Sequence, residues 1–132
     1  MIKYLTVTSR ARSELIDITA DVQQLVRAAR ARNGICHIFV LHTTAGITVN
    51  EGADPAVQRD LIEFLNRLVP ISPWFSHAEG NSDAHVKSSL TGVSQTVFIE
   101  DGKLLLGNWQ SIYFCEFDGP RTRKVAVRIT AD

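Results

Sequence analysis

The sequence predicts an α+β domain built on an antiparallel β-sandwich-like core. Two helical patterns stand in the first half of the chain, strand-like patterns dominate the second half, and neither a repeat nor a low-complexity tract interrupts them. A length of 132 residues is close to the commonest domain size. We therefore expect one domain over residues 1–132, with a single core and two main helices.

The first elements are two short segments of alternating apolar and polar residues, 3–8 and 14–18, which predict strands. The polar residues 9–12 separate them, and this arrangement is compatible with a β-hairpin. The period then changes to that of an amphipathic helix, with Thr19 as its N-cap and Asn33-Gly34 as its stop. The apolar positions of this helix are spaced i, i+3, i+4 and i+7: Val22, Leu25, Val26 and Ala29.

A buried strand and a second helix follow. Residues 35–41 form a nearly continuous apolar run, which predicts a strand buried on both faces. Asp54-Pro55 then supplies a capping side chain and a proline at the first helical position, and Pro70 closes the helix. Residues 70–83 have no clear period, and a long loop of this kind in a small domain is often functional.

The second half of the chain is mainly strands. Residues 94–100 and 103–107 flank Asp101-Gly102, a pair that favours a tight hairpin turn. Two further strands are predicted at 109–117 and 123–129, joined by a turn.

Composition excludes several classes of protein. The chain has 14 basic and 14 acidic residues, so nothing indicates binding to nucleic acid by nonspecific charge. No apolar stretch is long enough for a membrane-spanning helix, and the first residues resemble a strand rather than a signal peptide. We expect a cytoplasmic protein in which Cys36 and Cys115, each inside an apolar run, are small buried side chains kept reduced.

Three histidines are the most informative residues, because each stands in a polar, acid-containing segment. His42 follows the buried strand, and His77 and His85 flank residues 78–84, which include Glu79 and Asp83. Three imidazoles with one open position would make a Lewis-acidic zinc site, and added carboxylates would favour magnesium or manganese. The alternatives are acid–base groups or ordinary hydrogen-bonded histidines.

Two other polar groups are candidates for binding or catalysis. Trp109 and Gln110 follow a glycine and suit a flat heterocycle, which would stack on the indole and hydrogen-bond to the amide, although a core tryptophan is the alternative. Glu51 is a candidate base. If residues 84–91 are helical, Asp83 lies at the cap and His85 in the first turn, where backbone amides favour an anion or phosphate.

An acidic pair and a basic pair stand on either side of the last turn. Glu116 and Asp118 flank Phe117, and Arg121 and Arg123 follow across the turn. Such a group is either a salt-bridged turn or a site for a magnesium-bound diphosphate, and exposure decides between them.

Taken together, these motifs resemble the YjbQ-like family, the secondary thiamine-phosphate synthase family. The matching segments keep their order and spacing from about residue 5 to residue 129. They are residues 42–45, 50–51 with 54–55, 77–85, Gly107 with 109–110, and 114–121. Leu41 stands where a proline is usual in the family, and Asn108 where a threonine is usual; Asn108 bears on what the pocket binds.

The resemblance implies a trimer of single α+β domains with a pocket in which His42, His77 and His85 are candidate ligands of a metal, zinc first. The implied activity is weak and joins hydroxymethylpyrimidine diphosphate to a thiazole phosphate. By chemical type, a divalent ion and Arg121 would stabilise the departing diphosphate in that reaction, and Glu51 or a histidine would move protons. The other expected contacts are Trp109 and Gln110 with the ring, and Asn81, Asp83, Glu116 and Asp118 with the cofactor.

Two other functions fit the same residues. An open zinc site is equally suited to metal-assisted hydrolysis of a small phosphate or amide substrate. A noncatalytic trimeric module that binds a phosphorylated metabolite or a metal would need the same pocket. The expected partners are thus a small phosphorylated molecule and two further copies of the chain, with neither nucleic acid nor membrane.

Overall fold

The computed structural model describes all residues from Met1 to Asp132 and contains three helices and eight strands. The helices are α1 (Thr19–Ala28), α2 (Pro55–Leu68) and α3 (Ser82–Thr91). The strands are β1 (Ile2–Thr8), β2 (Glu14–Asp17), β3 (Gly34–Val40), β4 (Ala45–Glu51), β5 (Ser94–Glu100), β6 (Lys103–Leu104), β7 (Gln110–Glu116) and β8 (Thr122–Ala131).

The strands form two antiparallel sheets around one core. The larger sheet has the order β1-β8-β3-β5-β6, and the smaller one has the order β2-β7-β4. Apolar side chains from both sheets and from α1, including Ile38, Val125, Phe114 and Val22, form one continuous cluster. The predicted α+β class with a sandwich-like antiparallel core is therefore confirmed.

The opening hairpin is a wrong prediction. β1 pairs with β8 in the larger sheet, whereas β2 pairs with β7 in the smaller one. The chain between them crosses from one sheet to the other, and its polar side chains have partners far along the sequence. Ser9, for example, donates its hydroxyl to the carboxylate of Glu116 at 2.7 Å. Local alternation predicts the strands but not their partners, because pairing depends on these distant contacts.

The prediction that residues 35–41 are buried on both faces is also wrong. β3 alternates, with Cys36, Ile38 and Val40 buried and His37 and Phe39 exposed. No helix covers the outer face of the larger sheet, where Phe39 is 49 % exposed and Phe98 60 % exposed. The apolar run of β3 therefore contributes to the core and to an uncovered apolar surface, which we call the outer sheet face: Tyr4, Ile35, Phe39, Phe98 and Ala126.

The two predicted helices form, with different ends. Thr19 is the first residue of α1 rather than its N-cap, because its hydroxyl is engaged elsewhere as the acceptor for the N–H of Ile112 at 2.8 Å. The helix ends at Ala28, before the predicted stop at Asn33-Gly34. For α2 the prediction is confirmed, since the Asp54 carboxylate accepts the N–H of Ala56 at 2.9 Å.

Part of the predicted loop after Pro70 is helical. α3 begins at Ser82, so Asp83 and His85 both lie in its first turn and a half. The hairpin at Asp101-Gly102 is confirmed, with φ of 52° and 78° at these two residues, as a tight turn of this kind requires. Its second strand, β6, is only two residues long.

Cys36 and Cys115 are free thiols buried in the core, as predicted. Burial raises the pKa of Cys36 to about 11 and that of Cys115 to about 12. Both are therefore protonated and unreactive near neutral pH. None of the helices combines the length and the apolar character that crossing a membrane requires.

Candidate functional site

All three predicted histidines line one cavity of about 450 Å³, which we call the histidine pocket. His42 follows the end of β3, His77 lies in the loop before α3, and His85 lies in α3. The turn after β7 closes the other side. The remaining polar side chains of the lining are Thr43, Thr44, Glu79, Asn81, Asp118, Arg121 and Arg123. The fold thus brings together residues that are up to 82 positions apart, such as His42 and Lys124, which lies behind the pocket.

A second, more apolar cavity of about 760 Å³ adjoins the histidine pocket. Leu41, His42, Thr43 and His85 belong to both cavities, and Phe39 and Val93 extend the second one toward the outer sheet face. The two cavities therefore form one groove with a polar end and an apolar end.

His77 and His85 are direct neighbours in the pocket. Their ring centroids are 5.2 Å apart and the ring planes meet at 86°. This edge-to-face arrangement brings two imidazoles to the same cavity wall. The pair is suited to passing a proton to or from a bound molecule.

His42 is held differently. Its Nε2 accepts the backbone N–H of Lys124 at 2.8 Å, so the neutral ring carries its proton on Nδ1. Burial lowers the pKa of His42, and the positive charge of Arg123 lowers it further. The imidazole is consequently neutral near pH 7 and offers an N–H rather than a lone pair.

This geometry bears on the expected three-histidine metal site. A zinc ligand must present a free lone pair, and in His42 the Nε2 lone pair already accepts a hydrogen bond. Nor does any group of three or more His, Cys, Asp or Glu side chains have the arrangement of a metal site. His42 is therefore not available as a third zinc ligand beside His77 and His85 as arranged.

Arg121 is the exposed cation of the pocket. Its Nε donates to the Asp118 carbonyl at 2.7 Å, and its Nη2 donates to the Asp118 carboxylate at 2.8 Å. These bonds aim the guanidinium and leave the Nη1 donors free for an anion. Asn81 also donates to Asp118, at 2.8 Å, while its own side-chain oxygen is buried without a partner.

Glu116 and Arg123 form a buried ion pair behind the pocket. Arg123 Nε donates to Glu116 Oε1 at 2.9 Å, and its Nη2 bonds Glu116 Oε2 and the hydroxyl of Thr44. Ser9 donates to the same carboxylate at 2.7 Å. Burial alone would raise the pKa of Glu116, but the bonds from Arg123 and Ser9 hold it below its ordinary value. The carboxylate has no free position for magnesium, so the salt-bridged arrangement is the one observed here.

The carboxylate of Asp83 is likewise paired with basic side chains of the same chain. Arg12 makes a bidentate pair with its carboxylate at 2.9 and 3.1 Å, and Lys87 approaches it at 3.5 Å. Burial would raise the pKa of Asp83, and Arg12 holds it below its ordinary value. Sequence reasoning missed Arg12, because its partner is 71 positions away and nothing in the polar stretch 9–12 marks it.

Glu51, Trp109 and Gln110 do not reach the histidine pocket within one chain. β4 and β7 pair over their whole length, with Ala45 opposite Glu116 at the pocket end and Glu51 opposite Gln110 at the other. At about 3.4 Å per residue, six steps along β4 span about 20 Å. The predicted site is therefore divided between two ends of the smaller sheet.

Comparisons with known proteins agree on one family. The family model described as "UPF0047 protein YjbQ-like" matches residues 3–132. The UPF0047 protein MJ1081 of Methanocaldococcus jannaschii is 53 % identical over 132 residues, which cover 100 % of this chain and 95 % of that protein. The UPF0047 protein YugU of Bacillus subtilis is 47 % identical, with 98 % of each chain covered.

Solved structures show the same fold. A crystal structure of a YjbQ/UPF0047 family protein from Clostridium acetobutylicum superposes with a TM-score of 0.95 at 48 % identity, covering 97 % of this chain and 99 % of that one. The hypothetical protein APE1520 from Aeropyrum pernix K1 gives a TM-score of 0.94 at 32 % identity, covering 100 % and 99 %.

Proposed function

The chain belongs to the YjbQ-like family of UPF0047 proteins, and on this premise we propose that its histidine pocket binds and transforms a small phosphorylated substrate. The specific reaction is a weak thiamine-phosphate synthase reaction, in which hydroxymethylpyrimidine diphosphate is joined to thiazole phosphate and diphosphate is released. One observation carries the proposal: the free donors of Arg121 share a cavity with three imidazoles.

The proposed reaction needs few protein groups. The thiazole nitrogen forms the new C–N bond to the methylene carbon of the pyrimidine, the C–O bond to diphosphate breaks, and its electron pair leaves with the diphosphate. Negative charge therefore grows on the departing oxygens, where fixed donors stabilise it most. Arg121 supplies such donors, and the Nδ1–H of His42 supplies another without adding charge.

The remaining imidazoles are suited to proton transfer. His77 and His85 line the wall of the pocket as an edge-to-face pair, so a proton held by one of them can pass to the departing diphosphate. The N-terminal end of α3 adjoins the same cavity through Asn81, and the first amides of a helix have no acceptor inside it. This end of the helix also favours bound phosphate.

A divalent metal in this pocket is a separate proposal, with zinc first and magnesium or manganese as alternatives. His77 and His85 would supply two imidazole ligands, and such an ion would polarise phosphate oxygens. His42 would join them only by releasing the N–H of Lys124. Elemental mass spectrometry on tag-free protein purified without chelator tests this proposal, and a metal content far below one ion per chain would contradict it.

We also propose a homotrimer located in the cytoplasm. The uncovered outer sheet face supports association of copies, since Phe39 and Phe98 are both about half exposed or more. Two buried cysteines that form no disulfide support a reducing compartment.

The test is formation of thiamine phosphate from the two substrates, followed by chromatography. Arg121→Ala is expected to lower kcat/KM by about 100-fold or more, because it removes donors from the developing charge. The matched control is Arg67→Ala, which removes an exposed arginine from α2 and leaves the pocket unchanged.

Three results would contradict the proposed reaction. Wild-type kcat/KM in Arg121→Ala would exclude this pocket as its site. Release of phosphate from either substrate without coupling would favour the hydrolase, and binding of both substrates without turnover would favour a noncatalytic binding module.

A further inference from the structure

We propose that a second copy of this chain completes the site, by placing the end of its smaller sheet that bears Glu51 of the partner subunit and Trp109 of the partner subunit over the histidine pocket. This inference rests on the proposed function, since it says how that same pocket is covered. It assigns the recognition of the flat ring to one chain and that of the phosphate to its neighbour.

The first observation is that Trp109 is exposed although the backbone of its turn is held in place. Its side chain lies on a turn in which Gly107 donates to the Gln110 side chain at 2.8 Å and Gln110 donates back to the Gly107 carbonyl at 3.0 Å. Gly52 donates to the Trp109 carbonyl at 2.8 Å and ties the turn to the end of β4. Trp109 is nevertheless 67 % exposed. An exposed indole on a turn whose backbone is fixed is typical of a binding or contact surface.

The second observation is that one chain cannot bring this indole to the pocket. Trp109 precedes β7, and the pocket lies beyond the other end of that strand, about 20 Å away at the rise of an antiparallel strand. β7 is the central strand of the smaller sheet, paired on both sides, and its last five residues are buried. Such a strand does not bend to close the gap.

The third observation is that nothing in the single chain covers the apolar end of the groove that contains the histidine pocket. The groove continues from His42 and His85 past Leu41 and Phe39. Leu41 is 45 % exposed and Phe39 49 % exposed, although both border a cavity suited to an apolar ring. An apolar rim beside a polar pocket is where a partner or a substrate ring buries surface.

Charge favours a second copy as the cover. The pocket end of the chain presents Arg12 and Arg121, whose side chains are 40 % and 50 % exposed. The other end of the smaller sheet presents the carboxylates of Glu51 and Asp54. Exposed guanidinium donors at one end of the chain and carboxylates at the other favour a head-to-tail contact between copies. Contacts of this type close into rings, and a trimer is one of the small rings they form.

The test uses Trp109 as a reporter. The chain has two tryptophans, so Trp74→Phe leaves Trp109 as the single one. In this background, inorganic diphosphate is expected to change the emission of Trp109. Two further variants in this background are each expected to show no change in emission with diphosphate. Arg121→Ala lacks the residue that binds diphosphate, and Trp109→Phe lacks the tryptophan that reports binding.

The two silent chains are then co-expressed with different tags and purified through both. If the site is shared in a ring of three chains, diphosphate changes the emission of about two thirds of the Trp109 side chains, because purification through both tags keeps only the rings that contain both variants. If each chain contains a whole site, the hybrid is as silent as its parents, and this result overturns the inference.

Failure of the proposed function gives a different pattern. Calorimetry that detects no diphosphate binding to the wild type contradicts the proposed function only. The shared site is then tested on the Trp74→Phe protein without ligand. If the site is shared, this protein is an oligomer and the fluorescence of Trp109 is that of an indole shielded from water. A monomer, or the emission of a fully hydrated Trp109, overturns the inference.

Discussion

The backbone N–H of Lys124 donates to Nε2 of His42 across 2.8 Å, and this contact fixes the state of the imidazole at the mouth of the histidine pocket. β8 presents the N–H, and the end of β3 presents the ring, because the two strands are neighbours in the larger sheet. The sheet pairing therefore selects the tautomer of a candidate catalytic side chain.

The state of His42 is directly measurable. In metal-free protein we expect it to titrate below the ordinary pKa of histidine, about 6.5, because burial and the charge of Arg123 both disfavour the imidazolium. Nitrogen-detected NMR of labelled histidine should show the proton on Nδ1 at pH 7. A pKa above the ordinary value, or a proton on Nε2, would contradict the hydrogen bond to Lys124.

The buried pair of Glu116 and Arg123 is expected to contribute strongly to stability. Arg123→Met should lower the free energy of unfolding by about 3–5 kcal/mol, because it leaves an uncompensated buried carboxylate. Urea denaturation measures the change. The exposed pair of Arg67 and Glu63 is the control, and Arg67→Ala should cost about 0.5 kcal/mol or less.

A double variant separates lost attraction from burial of a lone charge. Glu116→Leu combined with Arg123→Met removes both charges, so it should recover a large part of the stability that Arg123→Met loses. Equal loss in the single and double variants would show that the ion pair itself, rather than the unpaired carboxylate, dominates.

The same carboxylate predicts an acid-dependent loss of stability. The pKa of Glu116 is lower in the folded chain than in the unfolded one, so its contribution is full above the unfolded value, about 4.3, and is lost as pH falls through the folded value. Glu116→Gln should flatten the free energy of unfolding between about pH 5 and pH 3. Glu63→Gln, at an exposed site, should leave the slope unchanged.

Local chemistry in the sequence predicts several features of the fold correctly. The α2 cap at Asp54 and the turn at Asp101-Gly102 both depend on neighbouring residues alone, and the structure has both. The convergence of the histidines depends on long-range pairing, and it was expected only through resemblance to a family. Periodicity alone carries no information about which strands become neighbours.

Other features had no local signal. β3 looks like a core strand because its sequence is apolar throughout, yet one face remains uncovered in the single chain. Arg12 lies in an ordinary polar stretch, and only the fold brings it to Asp83. Whether the Glu116 carboxylate binds a cofactor or pairs with an arginine depends on how deeply it is buried, and the local sequence around the turn does not reveal this.

Close packing between β4 and the end of α3 gives a further prediction. A Cβ added at Gly46 would lie 2.6 Å from the carbonyl oxygen of Gly92 and would also collide with Thr91. Gly46→Ala should therefore lower the free energy of unfolding by about 1–3 kcal/mol through overpacking. Thermal unfolding measures this, with Gly107→Ala as the control, since its nearest neighbour is the end of the Gln110 side chain at 3.3 Å rather than backbone.

The most direct measurement for the proposed function is an NMR titration of the protein with inorganic diphosphate. Binding in the histidine pocket predicts saturable shifts of the Arg121 guanidinium, of the His85 ring and of the amides at the start of α3. Arg121→Ala should abolish these shifts while the rest of the spectrum stays that of a folded protein. Shifts confined to other surfaces, or no shifts at millimolar diphosphate, would contradict the assignment of this pocket to a phosphorylated substrate.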